Sequence, residues 1–211
     1  MDFKQHVVDL CLELSRRGYF AGTGGNLMLR IDADRVAVTP SATDYLEMTP
    51  ADVAVLRLHD LARLEGDKPP SVETSLHARV LKARPDVGCS IHTHQPVASA
   101  CALLGRALEV PPAWRATLGP RVPMVGYAPS GSGWLAARLA GALRPDVNAY
   151  LMRNHGILCW GRDSAAALQA VDDLEALARQ HLAERIANQA RSGAQPQLWR
   201  VIEALQGQGA S

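Results

Sequence analysis

The segment Val87-Gly88-Cys89-Ser90-Ile91-His92-Thr93-His94 joins a short, mostly apolar run to two histidines that lie two positions apart. The run over residues 87–91 is β-branched at both ends, which predicts a β-strand. Alternate residues of a strand point to the same face, so we expect His92 and His94 to project together. The segment therefore predicts a strand that presents two imidazoles at its end.

A third histidine follows a second strand-like run far downstream. Residues 149–153 are mostly apolar, and they lead into Arg153-Asn154-His155-Gly156. Two adjacent strand ends can bring three imidazoles to one point, and three histidines with an open fourth position are a known ligand set of catalytic zinc. Imidazole also suits manganese or cobalt. An isolated His-x-His pair is more often structural, but the third histidine and an upstream carboxylate favour a metal site.

The upstream carboxylate is Glu73, in the segment Pro69-Pro70-Ser71-Val72-Glu73. The prolines end a loop, Ser71 is a favourable N-cap, and the following apolar pattern predicts a helix to about residue 83. Glu73 is then expected in the first helical turn, where it either complements the helix dipole or acts beside the metal. The Ser71 hydroxyl and the free N–H groups of the helix start also form a candidate phosphate site.

Two further loops are candidates for binding phosphate. Gly22-Thr23-Gly24-Gly25-Asn26 matches neither the Walker loop nor the dinucleotide fingerprint. A Gly-Gly-Asn turn can still aim backbone N–H groups at an anion. The second loop, Thr39-Pro40-Ser41, offers a hydroxyl group. Each loop is a weak signal when taken alone.

Composition limits the class of protein. The chain has 211 residues with 47% hydrophobic content, enough for one sizeable core, so we expect a single domain over residues 1–211 with a frayed tail after about residue 192. The net charge of +1 argues against nucleic-acid and membrane-surface partners. No apolar stretch approaches the roughly 20 residues that span a bilayer. Charges near the N-terminus argue against a signal peptide, and four scattered cysteines indicate reduced thiols of a cytoplasmic protein.

Helical and strand patterns alternate along the chain, which favours an α/β layered fold. Helices are predicted over residues 3–17, 71–83, 96–105, 132–143 and 164–190. Strands are predicted over residues 27–31, 35–38, 52–58, 87–91, 149–153 and 157–160, whereas residues 106–130 show no clear pattern.

Six short motifs occur here in the order typical of the class II aldolase/adducin family, and the chain resembles that family over about residues 5 to 185. The resemblance implies a three-layer α/β/α fold with a central, mostly antiparallel sheet. It also implies a homotetramer with sites near subunit borders. The motifs are Gly22-Thr23-Gly24-Gly25-Asn26, Thr39-Pro40-Ser41, Pro70-Ser71-Val72-Glu73, His92-Thr93-His94, Tyr127-Ala128-Pro129-Ser130-Gly131-Ser132 and Arg153-Asn154-His155-Gly156.

The resemblance also assigns roles to single residues. The implied activity is zinc-dependent cleavage of a ketose 1-phosphate, of the fuculose or the 5-deoxy- or methylthio-ribulose type, to dihydroxyacetone phosphate and an aldehyde. The implied zinc ligands are His92, His94 and His155, the acid/base is Glu73, and the phosphate-binding positions are Gly25, Asn26, Ser41 and Ser71.

Two alternatives remain within the same family. One is another enzyme, either a methylthioribulose-1-phosphate dehydratase or a pentulose-phosphate epimerase. The dehydratases tend to carry a further glutamate in the region that matches residues 106–118, where this chain has only a displaced Glu109. The other alternative is a non-catalytic, adducin-like assembly domain. The intact histidines and Glu73 argue against it, because a binding module does not need them.

Overall fold

The computed structural model describes residues 2–20, 22–192 and 200–201, so most of the tail that was predicted to fray lies outside the described residues. The helices are α1 (Phe3–Arg16), α2 (Thr74–Ala83), α3 (Pro96–Leu103), α4 (Arg115–Leu118), α5 (Gly133–Ala142) and α6 (Ser164–Ser192). The strands are β1 (Asn26–Arg30), β2 (Arg35–Val38), β3 (Ala54–Arg57), β4 (Arg63–Glu65), β5 (Cys89–Thr93), β6 (Leu108–Glu109), β7 (Arg121–Val122), β8 (Met124–Val125), β9 (Ala149–Met152) and β10 (Gly156–Gly161).

The central sheet has eight strands in the order β4-β3-β2-β1-β5-β10-β9-β8. Its neighbouring strands are antiparallel, except that β8 runs parallel to β9. Strands β6 and β7 form a separate antiparallel pair. The predicted mostly antiparallel sheet is therefore confirmed. Strands β5 and β10, which lead to the three histidines, are direct neighbours near its middle.

Helices cover both faces of the sheet, as predicted for a three-layer α/β/α fold. Successive residues of β1 point to opposite sides, in keeping with the period of a strand. Leu27 and Leu29 pack into a core with α1, α3 and α6, whereas Met28 packs into a second core with α2 and α5. Among the described residues, none of the helices is long and apolar enough to cross a membrane.

Several element boundaries differ from the predicted ones. Helix α2 begins at Thr74, so Ser71 is not its N-cap; Glu73 occupies that position. The Ser71 hydroxyl accepts a hydrogen bond from the Glu73 N–H at 3.2 Å, and its carbonyl accepts one from the Thr74 N–H at 3.0 Å. Ser71 therefore closes a turn before the helix. The predicted N-cap was wrong because residues 71–74 close a separate turn first, and the Ser71 N–H pairs with the carbonyl of Thr39 at 2.9 Å.

The strand that carries the first two histidines is displaced by two residues. Strand β5 covers Cys89–Thr93 instead of residues 87–91, because His92 and Thr93 pair with Leu158 and Ile157 of β10. The strand predicted over residues 52–58 is shortened because Pro50–Asp52 forms a 3-10 turn.

Candidate active site and metal centre

The structure brings the three predicted histidines together at one end of β5 and β10. His92 lies in β5, His94 follows its last residue, and His155 ends the turn between β9 and β10. Their ligand nitrogen atoms all lie within 4.8 Å of one another. His92 is buried, His155 is half-buried and His94 is exposed, so the cluster opens towards solvent on the His94 side.

The orientation of His92 suits a metal ligand. Its Nδ1 lies 2.6 Å from the carbonyl oxygen of Ile157, and because a carbonyl only accepts, Nδ1 is the donor. The lone pair is then on Nε2, which lies 2.9 Å from Nε2 of His94. Burial lowers the pKa of His92 to about 3, so its imidazole is neutral at physiological pH. A backbone acceptor of this kind is what orients the histidine ligands of many metal sites.

Gly156 provides the space in which the histidines meet. A Cβ atom at this position would lie 2.6 Å from Cδ2 of His94 and 3.0 Å from Cε1 of His92. It would also lie 2.6 Å from the carbonyl oxygen of Thr93. Any side chain here would therefore displace the imidazoles or the end of β5.

Glu73 lies directly against the histidine cluster. Its Oε1 is 3.0 Å from Nε2 of His155, and its Oε2 is 3.3 Å from Nε2 of His92. Asn26 donates to Oε2 at 2.8 Å, and the Ser130 hydroxyl donates to Oε1 at 2.8 Å. Burial raises the pKa of the Glu73 carboxyl, but its interactions with His155, His92 and Asn26 outweigh burial and hold the pKa well below its usual range. The carboxyl is therefore ionised at neutral pH.

A buried polar chain extends behind Glu73. The Asn26 Oδ1 lies 2.6 Å from Nε2 of His77, and Nδ1 of His77 lies 2.8 Å from the Ser90 hydroxyl. His77 has no exposed surface, and burial lowers its pKa to about 4. His77 is therefore neutral at physiological pH, like His92.

The four predicted phosphate positions have different surroundings. Ser41 and Ser71 lie on paired segments, because the Ser41 N–H donates to the Pro69 carbonyl at 2.9 Å and Pro40 bridges to Pro70. Gly25 has φ +87°, and a Cβ atom there would lie 2.4 Å from the ring of Phe20. Asn26 differs from the others because its amide donates one N–H to Glu73 and its Oδ1 faces His77. The second N–H of the amide is a further donor that could serve a phosphate.

Sequence reasoning assigned no role to Ser130, although the residue belongs to a quoted motif. Its contact with Glu73 joins residues that are 57 positions apart, which no local pattern reveals. The local signal is a glycine, Gly131, which adopts φ +69° and at which a Cβ atom would lie 3.1 Å from Cβ of Val72. The turn at Gly131 places Ser130 next to the carboxylate.

The residues present fit a divalent transition metal. Three imidazoles whose ligand nitrogens lie within 4.8 Å of one another, with an adjacent carboxylate, form a donor set that zinc accepts. The cluster can therefore hold a metal beside an ionised acid/base group.

Comparison with known proteins agrees with this geometry. The sequence model of the class II aldolase and adducin N-terminal domain matches residues 5–182. The chain belongs to that family.

Individual relatives are named as aldolases or as a dehydratase. The chain is 31% identical over 174 residues to a 5-deoxy-D-ribulose 1-phosphate aldolase of Bacillus thuringiensis serovar kurstaki. This alignment covers 82% of this chain and 80% of that protein. It is 32% identical over 183 residues to a methylthioribulose-1-phosphate dehydratase of a Sulfurihydrogenibium species, covering 79% and 83% of the two chains. A solved L-fuculose 1-phosphate aldolase matches with a TM-score of 0.78 and 26% identity, over 97% of this chain and 96% of that chain.

Proposed function

We propose that this protein is a metal-dependent aldolase that cleaves a ketose 1-phosphate to dihydroxyacetone phosphate and an aldehyde. The observation that carries this proposal is the position of Glu73, whose two oxygens lie 3.0 and 3.3 Å from the Nε2 atoms of His155 and His92. A carboxylate that can move a proton therefore stands next to a three-histidine metal set. The relatives that are named as sugar-phosphate aldolases support this reading.

His92, His94 and His155 would hold the metal, for which we propose zinc, with manganese or cobalt as alternatives. When bound, the ion supplies Lewis-acid stabilisation of negative charge on the substrate's ketone oxygen. The protein's part is to direct the three imidazoles at one point. The hydrogen bond from His92 to Ile157 and the space left by Gly156 do so.

Glu73 would move the proton of the reaction. In the condensation direction, its ionised carboxylate takes a proton from the hydroxymethyl carbon of dihydroxyacetone phosphate. In the cleavage direction, the hydroxyl group that becomes the aldehyde gives its proton to the carboxylate, and the protonated carboxyl delivers that proton to the same carbon after the carbon–carbon bond breaks. Asn26 and Ser130 each hold one carboxylate oxygen, at 2.8 Å in both cases, so the group is oriented before substrate arrives.

The phosphate would bind where Gly25, Ser41 and Ser71 lie, through hydroxyl and backbone N–H donors. The pairing of the Ser41 and Ser71 segments supports a single site formed by both hydroxyls. The Asn26 amide can join this site through its second N–H, because a single N–H donates to Glu73. Neutral donors and oriented backbone amides are sufficient for a phosphate when the geometry is fixed.

For the sugar, we favour a pentulose 1-phosphate with a 5-deoxy or 5-methylthio end over fuculose 1-phosphate, since the relative at 31% identity carries the first name. We further propose a homotetramer with active sites near subunit borders. Val72, next to Glu73, is 65% exposed and Trp134 is 74% exposed, which supports a neighbouring subunit on this side. The four buried, unpaired cysteines support a cytoplasmic location.

Dehydration of methylthioribulose 1-phosphate is the second candidate, because one relative carries that name. The glutamate that would serve it, Glu109, lies exposed on β6, opposite Arg121 in the separate small sheet. This position favours cleavage over dehydration.

The proposal is tested by incubating the zinc-loaded protein with 5-deoxyribulose, methylthioribulose and fuculose 1-phosphates and identifying the products by mass. Dihydroxyacetone phosphate with an aldehyde supports the aldolase. A product that has lost water and kept its carbon chain supports the dehydratase instead. No reaction with any of the three overturns the proposal.

A further inference from the structure

We infer that His77 is a positioning residue for the catalytic carboxylate: it orients the Asn26 amide, and through that amide it holds Glu73. This inference rests on the proposed role of Glu73. The observation behind it is a continuous buried chain of Ser90, His77, Asn26 and Glu73, with successive contacts of 2.8, 2.6 and 2.8 Å. All four residues are at least nine-tenths buried.

The chemistry of each group fixes which atom donates and which accepts in every hydrogen bond of this series. An ionised carboxylate only accepts, so the Asn26 Nδ2 must donate to Glu73. The amide then presents its Oδ1 to His77, so Nε2 of His77 must carry the hydrogen. Nδ1 of His77 is left with a lone pair, which accepts from the Ser90 hydroxyl. If the Asn26 amide were flipped, its Oδ1 would face the Glu73 carboxylate, and both groups are acceptors. The Nε2–H of His77 opposes that flip because it needs Oδ1 as its acceptor.

The four hydrogen-bonded residues lie on or next to three elements of the fold, α2, β1 and β5. Glu73 is the N-cap of α2, and His77 lies one turn further along the same helix. Asn26 begins β1, where it lies opposite His92 of β5, and Ser90 lies on β5 as well. The hydrogen-bonded chain therefore connects the helix that follows the carboxylate to the strand that carries His92 and ends next to His94.

Packing alone does not account for a histidine at this position. Burial of a polar ring without compensation is unfavourable, whereas an apolar side chain of similar volume would fill the same space without that penalty. The hydrogen bonds of His77 go to Ser90 and Asn26, not to the histidine cluster or the carboxylate. Any effect of His77 on the position of Glu73 therefore passes through Asn26.

A double-mutant cycle tests this route. His77→Leu removes the donor at similar volume and should lower kcat by about 10–100-fold, the loss typical of outer-sphere partners, with KM and zinc content unchanged. His77→Gln places an amide N–H near the position of Nε2 and should restore most of kcat. Adding His77→Leu to Asn26→Ala should cause no further loss, because Asn26 transmits the effect. The matched control is the exposed His59→Leu, which should behave as wild type.

Independent losses in the double variant, or wild-type kcat in His77→Leu, would overturn the inference. A second measurement does not depend on turnover or on the folding of a variant. Long-range ¹H–¹⁵N spectra of the metal-loaded wild-type protein at pH 7 should show His77 as the neutral Nε2–H tautomer. An Nδ1–H tautomer of His77 would overturn the inferred hydrogen-bond directions, and with them the positioning role of His77, even if the aldolase proposal holds. If His77 is the Nε2–H tautomer but the protein cleaves no ketose phosphate, the hydrogen-bonded chain is supported and only the aldolase proposal is rejected.

Discussion

His92 and Ile157 are joined across β5 and β10 by a hydrogen bond of 2.6 Å from the imidazole Nδ1 to the backbone carbonyl. The bond leaves the His92 Nε2 lone pair on the side where His94 and His155 converge. The pairing of β5 with β10 therefore fixes the orientation of the His92 imidazole before any metal binds.

Removing one imidazole should therefore remove the metal. His94→Ala should lose most of its zinc, as measured by elemental analysis after dialysis, because two histidines are too few for a three-histidine site. His59→Ala, an exposed histidine in a different part of the chain, is the control and should keep about one zinc per chain. Full zinc content in His94→Ala would show that the ligand set is wrong.

A methyl group at Gly156 should disturb the same site without removing a ligand. Gly156→Ala places a Cβ atom 2.6 Å from Cδ2 of His94, so zinc affinity should fall by at least the roughly 10-fold seen when ligand orientation is lost. Gly133→Ala is the matched control, because a Cβ atom at Gly133 meets nothing within 4 Å. Competition with a chelator measures both variants. Equal affinities would contradict the steric account.

Ser71→Ala should weaken binding of the phosphate and leave the metal in place. We expect KM for the ketose 1-phosphate to rise by about 12- to 150-fold, which corresponds to the roughly 1.5–3 kcal/mol of one hydrogen bond to a charged group. Ser164→Ala, whose hydroxyl instead contacts His6, is the control. An unchanged KM in Ser71→Ala would place the phosphate elsewhere.

The buried His77 should make stability depend on pH. Burial lowers its pKa to about 4, although the ionised Glu73 opposes that shift, and in the unfolded chain the pKa is near its ordinary value of 6.5. Between these values the unfolded chain binds a proton that the folded protein does not. Stability should therefore fall as pH drops through this window, by about 3 kcal/mol from His77 alone.

Urea unfolding of the metal-free protein at pH 7 and at pH 4 measures this dependence. His77→Gln lacks the titrating ring, so its free energy of unfolding should fall less than that of the wild type over the same interval. His59→Gln should follow the wild type. Parallel losses in His77→Gln and the wild type would show that His77 is not buried in its neutral form.

Much of this fold follows from patterns that are local in sequence. The apolar residues of α1 recur at helical spacing and become its buried face, and the two histidines at i and i+2 indicate a shared strand face. Strands β6, β7 and β8 have two residues each, too few to show any period, so they were not predicted.

The surroundings of the carboxylate could not be derived in the same way. The sequence assigned Asn26 to the phosphate, and it did not reveal that the Asn26 amide also pairs with Glu73 and His77, which lie 47 and 51 positions away. The choice among several polar partners depends on how helix α2 packs against β1 and β5. Ser130 reaches Glu73 across 57 positions for the same reason.

The central claim is that Glu73 moves a proton at the carbon next to a ketone. It is tested most directly by incubating the zinc-loaded protein with dihydroxyacetone phosphate alone in D₂O and following the hydroxymethyl protons by NMR. We expect one hydrogen to exchange for deuterium without any aldehyde present, and Glu73→Gln to slow this exchange by about 10²–10⁴-fold with zinc retained. Glu109→Gln, on the exposed β6, should exchange like the wild type. No exchange by the wild type above the rate without protein, or equal exchange by Glu73→Gln, would contradict the account.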